Sequence, residues 1–421
     1  MTGPFPRVAL KRVAKLGTGH TPSRSHPEYW IDRTIPWLTL ADVGPLRDGT
    51  RSVVTETKEM ISELGVANSS AVVHPAGTVV MSRTASVGYS AILGRDMATS
   101  QDYVTWTCGP EADPRFVLHG LRGLRNEILA SRMGSTHQTI YMPDVERIRI
   151  PLPPLEEQRR IADFLDDETA RIDALIAAKQ QMINIVGDRS KGTIEALLEA
   201  SEIIVRLDGV PSGLRGDRRL ARLAMVSTVQ SGITLDAGRE LGRDAVVVPY
   251  LRVANVQDGY IDTSVVKTVH VAKADAGRFE LRRGDVLMTE GGDPDKLGRG
   301  AVWTGVITPC LHQNHVFAVR PDPSLLDPAY LAMVTRTTYA RAYFETTATK
   351  TTGIASTSAS KIAAFRVPLP PLDEQRRLAG RAEHALGKDQ VLTDTLARQI
   401  ALLRERRQAL ITAAVTGELA I

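Results

Sequence analysis

The side chains of this 421-residue chain that could do chemistry gather in glycine-rich stretches. "GTGHTPSR" (17–24) offers Thr18, His20, Thr21 and Arg24, and "SRTASVG" (82–88) offers Ser82, Arg83, Thr84 and Ser86. "GSTHQT" (134–139) adds Ser135, Thr136, His137 and Gln138. Further along, "GGDPDKLGRG" (291–300) carries Lys296 and Arg299, and "TATKTTGIAST" (347–357) carries Lys350, Thr351 and Thr352. Arg and Lys match guanine edges and phosphates, Asn and Gln match adenine edges, and Ser and Thr match phosphate oxygens. These loops are therefore candidates for contact with nucleic acid. Each has an ordinary competing role as a plain surface loop. "GGDPDKLGRG" could cradle a nucleotide phosphate but lacks the Gly-Lys-Ser/Thr ending of a phosphate loop. His20 and His137 have no nucleophile motif beside them.

Composition narrows the class. Apolar residues make up 43% and charged residues 24%, enough to build several cores, and the length suits two to four domains. The N-terminal "MTGPFPRVALKRVAKL" has no apolar run of signal-peptide type. Cys108 and Cys310 cannot form a disulfide framework, so a reducing, cytoplasmic setting is expected. The net charge of +4 is unevenly spread: +3 over residues 1–154, −4 over 155–200, +4 over 201–367 and +1 over the remainder. The two long segments thus carry most of the positive excess, which is compatible with an anionic partner. The chain lacks an Asn/Asp-Pro-Pro-aromatic methyltransferase motif, a Gly-x4-Gly-Lys-Ser/Thr loop and a His-Glu-x-x-His zinc site. No catalytic and no metal-binding residue is expected.

The elements that must hold these loops are written twice. "IPLPPLEEQRRIA" (150–162) returns as "VPLPPLDEQRRLA" (367–379), 217 residues later. "IPWLTLADV" (35–43) matches "VPYLRVANV" (248–256), and "GTVVMSRTASVG" (77–88) resembles "GDVLMTEGGDPDKLG" (284–298). "SQDYV" (100–104) aligns with "HQNHV" (312–316), setting Gln101 against Gln313, which points to a buried amide that holds the fold or to a base reader. Short β-branched runs between Gly, Pro and Asp clusters predict a β-rich α/β globule in each copy. The Pro-rich string ends a strand, and Glu156 and Glu157, like Asp373 and Glu374, favour the N-terminus of a helix. "LRGDRRLAR" (214–222) reads as a solvated linker, with a phosphate clamp as the other option.

From Leu155 to about Ala200, Ile161, Leu165, Ile172, Leu175, Ile176, Met182 and Ile183 fall at helical spacing. Leu378, Leu386, Leu392, Leu396, Ile400, Leu403, Leu410 and Ile411 do so in the second copy. As a helix the first stretch would span about 69 Å, longer than a globule of this size is wide. An antiparallel coiled-coil pair is the better solution than two helices each packed on its own globule. Such an object has a pseudo-twofold axis and suits a two-part target on duplex DNA.

On these residues the chain resembles the specificity subunit of a type I restriction–modification system. The doubled "PLPPLxEQRR" resembles that family's helix-entry motifs, and "LLRERRQALITAAVTGELAI" (402–421) its closing segment, which is degenerate in the first copy. The resemblance implies an α/β (α+β) fold with two β-rich target-recognition domains, separated by a pair of long antiparallel coiled-coil helices in a pseudo-twofold internal repeat. The expected domains are 1–154 and 201–371 for recognition, with helices over 155–200 and 372–421 as spacer and docking surface. Ile161, Leu165, Ile172, Leu175, Leu392, Leu396, Leu403 and Leu410 would serve helix pairing and partner docking. The implied function is readout of a bipartite, asymmetric double-stranded DNA target by a non-catalytic, cytoplasmic subunit. Its implied partners are two modification (methyltransferase) subunits and the restriction (ATP-dependent translocase/endonuclease) subunits. S-adenosylmethionine, ATP and Mg²⁺ would sit on those partners. The alternative is a coiled-coil scaffold or orphan adaptor that joins partner subunits without specific readout.

Overall fold

The computed structural model describes residues 4–130, 139–200, 219–234, 244–292, 297–351 and 354–421. They form two compact units, one of residues 1–181 with 395–421 and the other of 182–394. The first long helix, Leu155–Ala200, and the second, Leu372–Thr416, each contribute to both units.

In the first unit, Tyr103–Cys108 lies between Ala14–Thr18 and Val79–Ser82, and the sheet continues through Ser90–Leu93 to Val53–Val54. Val79, Val80 and Met81 are buried, because one face of this sheet packs on helix Pro114–Gly123 and the other, which carries Val80 and Tyr103, on Leu38 and Leu46. A second sheet runs Glu59–Ile61, Ile35–Leu38, Met97–Thr99, Val73–His74. The second unit repeats the plan. Ser227–Ser231, Val316–Pro321, Val286–Thr289 and Gly300–Val302 form one sheet, and Lys267–Ala272, Ala245–Leu251 and Leu311–His312 another. The segment read as a linker is structured where it is described: Arg219–Arg222 pairs antiparallel with Arg366–Leu369. Backbone pairing on Arg366–Leu369 satisfies donors and acceptors that a solvated linker would leave to water. Leu214 to residue 218 lies outside the described residues.

The repeated string is a joint. Strand Arg149–Pro151 ends where the prolines begin, and the helix starts at Leu155; Arg366–Leu369 and Leu372 repeat this. Its glutamine does the joining. Gln158 is fully buried; its Nε2 donates to Pro153 O at 2.8 Å and Glu111 O at 2.9 Å, while its Oε1 accepts from Asp113 N at 2.9 Å. Gln375 donates to Pro370 O at 2.8 Å and Leu325 O at 2.9 Å, and accepts from Asp327 N at 2.9 Å. Asp113 and Asp327 in turn cap the helices Pro114–Gly123 and Pro328–Thr335, each with proline at the first position. One buried amide therefore ties the start of a long helix to the start of the helix packed against it.

Within the first unit the helix pair is antiparallel. Asp173 meets Arg407 at 3.0 Å and Lys179 meets Gln399 at 2.7 Å, so residue numbers rise along one helix as they fall along the other. Ile161, Leu165, Ile411, Ala414 and Val415 close a core with Phe116. The seam differs in detail from the apolar spacing. Leu175 is 52% exposed and Leu392 is 36% exposed, so neither serves helix pairing; Leu403 and Leu410 are half-buried. Thr169 and Arg407 take buried places instead. Steps of three and four residues run from Ile161 through Leu165, Thr169 and Ile172 to the half-buried Ile176, and leave Leu175 off the line. Thr169 is tolerated because its hydroxyl donates to Leu165 O at 2.6 Å, and Arg407 because Asp173 and Gly49 O at 2.7 Å accept its protons. In the second unit Arg189 and Ser190 both hold Asp389, and Ile194, Leu197 and Leu198 join a core with Leu378 and Ala382.

Beside the first unit's seam, His119 is buried and its Nε2 lies 2.8 Å from Asp166 Oδ1. Burial pulls its pKa below the usual 6.5, against the pull of Asp166. Arg122, also buried, is pushed down to about 10 by burial and by Arg407, and donates to Ser52 Oγ, Arg51 O and Ser90 O.

Two outcomes follow from these contacts. Gln158→Ala leaves Glu111 O, Pro153 O and Asp113 N without partners, and should cost about 2–4 kcal/mol in urea unfolding, as should Gln375→Ala. As pH falls through 6.5 the unfolded chain protonates His119's imidazole before the folded one does. Stability should therefore fall with acidification by at most about 1.4 kcal/mol per pH unit for this histidine, and His119→Gln should flatten that part of the curve.

Candidate nucleic-acid interface

The loops of the first unit converge on the turn Ser100–Asp102. Gly19 brings the segment 18–21 onto it: a Cβ there would lie 1.7 Å from Thr99 O, and His20 N bonds that oxygen at 3.0 Å. Only glycine fits so close to a carbonyl. Thr21 Oγ1 then donates to Gln101 Oε1 at 2.6 Å, and Thr18 Oγ1 to Tyr103 O at 3.0 Å. From the other side Arg83 Nε donates to Gln101 O at 3.0 Å and Arg83 Nη1 to Ile140 O at 3.4 Å. Thr84 Oγ1 bonds Asp102, and Thr84 pairs with Thr139 in a β-bridge. His20 is exposed, and Arg24 is exposed with its guanidinium 4.8 Å from the Trp30 ring.

Several of the expected contacts are spent inside the fold. Ser82 is fully buried, with its hydroxyl bonded to Ser86 O, and has no access to a ligand. Arg83 is half-buried against two main-chain oxygens, and Thr84 is held by Asp102. Ser86 accepts from Arg47, an exposed cation that sequence reasoning passed over because it stands in a separate segment. Ser135, Thr136, His137 and Gln138 lie outside the described residues, as do Lys296 and Thr352.

The second unit builds the same cluster from different side chains. Gly232 presses on His312 O, where a Cβ would lie 2.2 Å away, and Ile233 N bonds that oxygen at 2.8 Å. Gly291–Gly292 pairs with Ile354–Ser356, which pairs with Thr349–Thr351, so the two late loops meet as "SRTASVG" meets Thr139. Lys350 and Thr351 lie on that last strand, and Arg299, in the loop that follows Gly291–Gly292, is half-buried. Glu290 stands where the first unit has Arg83: Glu290 N donates to His315 O at 2.9 Å as Arg83 N donates to Asp102 O at 2.8 Å.

Strand register corrects one alignment. Leu38 pairs with Thr99 and Leu251 with His312; Tyr103 pairs with Ser82 and Val316 with Thr289. The offset is 213 residues around both turns, from Thr99 to His312 and from Tyr103 to Val316. Gln101 therefore corresponds to Asn314, and Gln313 to Ser100. Gln101 is exposed, so it is no buried amide; that role belongs to Gln158 and Gln375.

Two histidines beneath the loops are biased towards the neutral form. Burial, then the charge of Lys15, lowers His74, and burial lowers His312, whose Nδ1 donates to Val316 O at 2.6 Å. Neither supplies a cation to the surface. Burial pushes the Cys108 and Cys310 thiols up to about 12, far from nucleophilic thiolates. Among the described residues no three His, Cys, Asp or Glu side chains come together as a metal cage. None of the described helices is long and apolar enough to cross a membrane. What the clusters offer is hydroxyl, amide and guanidinium hydrogen bonding on rigid turns, the chemistry of recognition.

Comparison with known proteins agrees with that chemistry. Residues 5–184 match the model of the type I restriction modification DNA specificity domain. The chain is 22% identical over 300 residues to the EcoKI specificity subunit of Escherichia coli K12, covering 70% of this chain and 63% of that one. It is 24% identical over 260 residues to the MjaIX specificity subunit of Methanocaldococcus jannaschii, covering 59% and 57%. The matches thus span less than two thirds of these relatives' lengths. The fold is similar, at a TM-score of 0.63 and 22% identity over 100% of both chains, to one solved in a study of complex assembly and conformational transition of the type I R-M system. The specificity-domain match thus lies over the first unit, the same strand pairings repeat in the second, and the chain is similar to type I restriction–modification specificity subunits.

Proposed function

We propose that this chain is the sequence-specific DNA-binding subunit of a type I restriction–modification complex, reading a bipartite, asymmetric duplex target. The observation that carries the reading is the double construction of one loop cluster with different side chains. His20, Arg83 and Asp102 in the first unit correspond to Ile233, Glu290 and His315 in the second. Identical scaffolds with altered hydrogen-bonding groups suit two half-sites of different sequence. A scaffold without readout needs only the helices and gives no reason for two such clusters.

The chain's part is recognition and not catalysis. Methyl transfer and ATP-driven cleavage belong to modification and restriction subunits in the cytoplasm, which would bring S-adenosylmethionine, ATP and Mg²⁺. The long helices carry apolar side chains that their own packing leaves uncovered: Leu175 and Leu402 in the first unit, Val391 and Leu392 in the second. Exposed apolar groups of this kind mark an interaction surface, here for the modification subunits.

Methylation sequencing of cells expressing this chain with its modification subunits should reveal one split, asymmetric, adenine-methylated motif. Deleting this chain alone should abolish it; a motif that persists would sink the reading. The double variant Leu175→Asp, Leu402→Asp should reduce co-purification of modification subunits by roughly tenfold or more, since two buried charges oppose docking. Its melting temperature should stay near the wild-type value because both side chains are exposed.

A further inference from the structure

We propose that the carboxamides of Gln101 and Asn314 are corresponding base-reading groups, each pairing with an adenine edge in its own half-site. The proposal rests on the DNA-specificity reading above and names two side chains that carry it.

The first ground is position. The turns Ser100–Asp102 and Gln313–His315 follow strands of identical register, and the offset of 213 residues brings Gln101 onto Asn314. Each turn is where the loops of its unit converge. Gly19 and Gly232 press the preceding segment onto the turn, and Thr21 and Thr234 follow them at the same offset. Around this point the side chains diverge: His20 against Ile233, Arg83 against Glu290, Asp102 against His315. The carboxamide is kept, with one methylene fewer in the second unit.

The second ground is preparation for a ligand. Gln101 is exposed, yet its orientation is fixed. Thr21 Oγ1 donates to Oε1 at 2.6 Å, and Arg83 Nε holds the residue's carbonyl oxygen at 3.0 Å. Oε1 keeps a second lone pair, and among the described residues no group takes the two hydrogens of Nε2. An acceptor beside a donor is the complement of adenine's major-groove edge, which offers the N6 donor beside the N7 acceptor. A long side chain already ordered in free protein loses less freedom when it binds. Asn314 sits on an equally fixed backbone, its main-chain N donating to Ile233 O at 3.0 Å, and its side chain is half-buried. The shorter amide therefore reads from a backbone that must approach more closely.

The test compares motifs from methylation sequencing of cells carrying the modification subunits with wild-type chain, Gln101→Ala, Gln101→Glu, Asn314→Ala or Asn314→Asp. Gln101→Ala should lower methylation at sites bearing the matched adenine roughly tenfold to a hundredfold and relax that one position. Gln101→Glu has acceptors only and should move the same position towards cytosine, whose N4 donates. The Asn314 variants should do the same in the other half-site alone. Thr21→Val keeps the amide but frees its orientation, and should weaken discrimination at the Gln101 position only.

Melting curves matching the wild type establish that each variant is folded. Unchanged motifs in the alanine variants overturn the proposal. So does a uniform loss across the motif in a folded variant, which would mean a phosphate or loop-holding role. Changes from both residues in one half-site overturn it as well. If the wild-type chain itself specifies no motif, the DNA reading fails first, and that result is distinct from a wild-type motif that Gln101→Ala leaves intact.

Discussion

Everything else in each unit hangs on a buried glutamine that cannot be left half-satisfied. Gln158 and Gln375 each have one carboxamide to bond three backbone groups from two separate segments. A polar group at zero exposure is costly without partners, so the amide, the proline-rich entry and the Asp-Pro helix start must arrive together. The two joints share the same three bond lengths. Two helices are thereby fixed at their first turns, where an error in direction would be amplified along a helix of more than forty residues.

The helix pair shows how a long seam tolerates charge. Arg407 is 9% exposed, a setting that would be prohibitive for an unpaired guanidinium. Asp173 answers its charge and Gly49 O takes a further proton, so the first helix, the second helix and a surface loop meet at one cation. Arg122 lies near enough for repulsion from Arg407 to depress its pKa, and is held by one hydroxyl and two carbonyl oxygens. These groups set which faces of the helices turn inward. The apolar residues left outside, Leu175 and Leu402 among them, are then free for another surface.

Much of this was legible in the sequence, and the exceptions have physical causes. Short β-branched runs, the proline string and the long apolar stripes marked strands, helix starts and helix lengths, because hydrophobic periodicity and proline act locally. Thr169 and Arg407 escaped notice because periodicity scores only apolar residues. A polar side chain enters a seam when a backbone oxygen or a distant partner satisfies it, and no spacing announces that. The alignment of Gln101 with Gln313 followed a shared letter. Strand register decided otherwise, since pairing fixes which residue of a turn projects where. In the loops the placements are uneven: Thr21 and Arg24 stay at the surface or near it, whereas Ser82 hides its hydroxyl. Alternation cannot say which hydroxyl in a bend will turn back on its own backbone.

The composition of the first unit also governs the order in which this protein can be completed during synthesis. Residues 182–394 are one continuous stretch, whereas the first unit needs 1–181 and 395–421. Ile411, Ala414 and Val415 pack on Phe116, Ile161 and Leu165, and Gln408 Nε2 donates to Arg122 O at 3.0 Å. Until the ribosome has delivered those residues, Phe116 and its neighbours lack their cover. Domains commonly finish in the order they are made. Here the segment made first waits for the segment made last, and the stretch between them can close before either. A nascent chain in this interval presents an unfinished apolar surface of its own, one that the closing helix must reach ahead of any other chain.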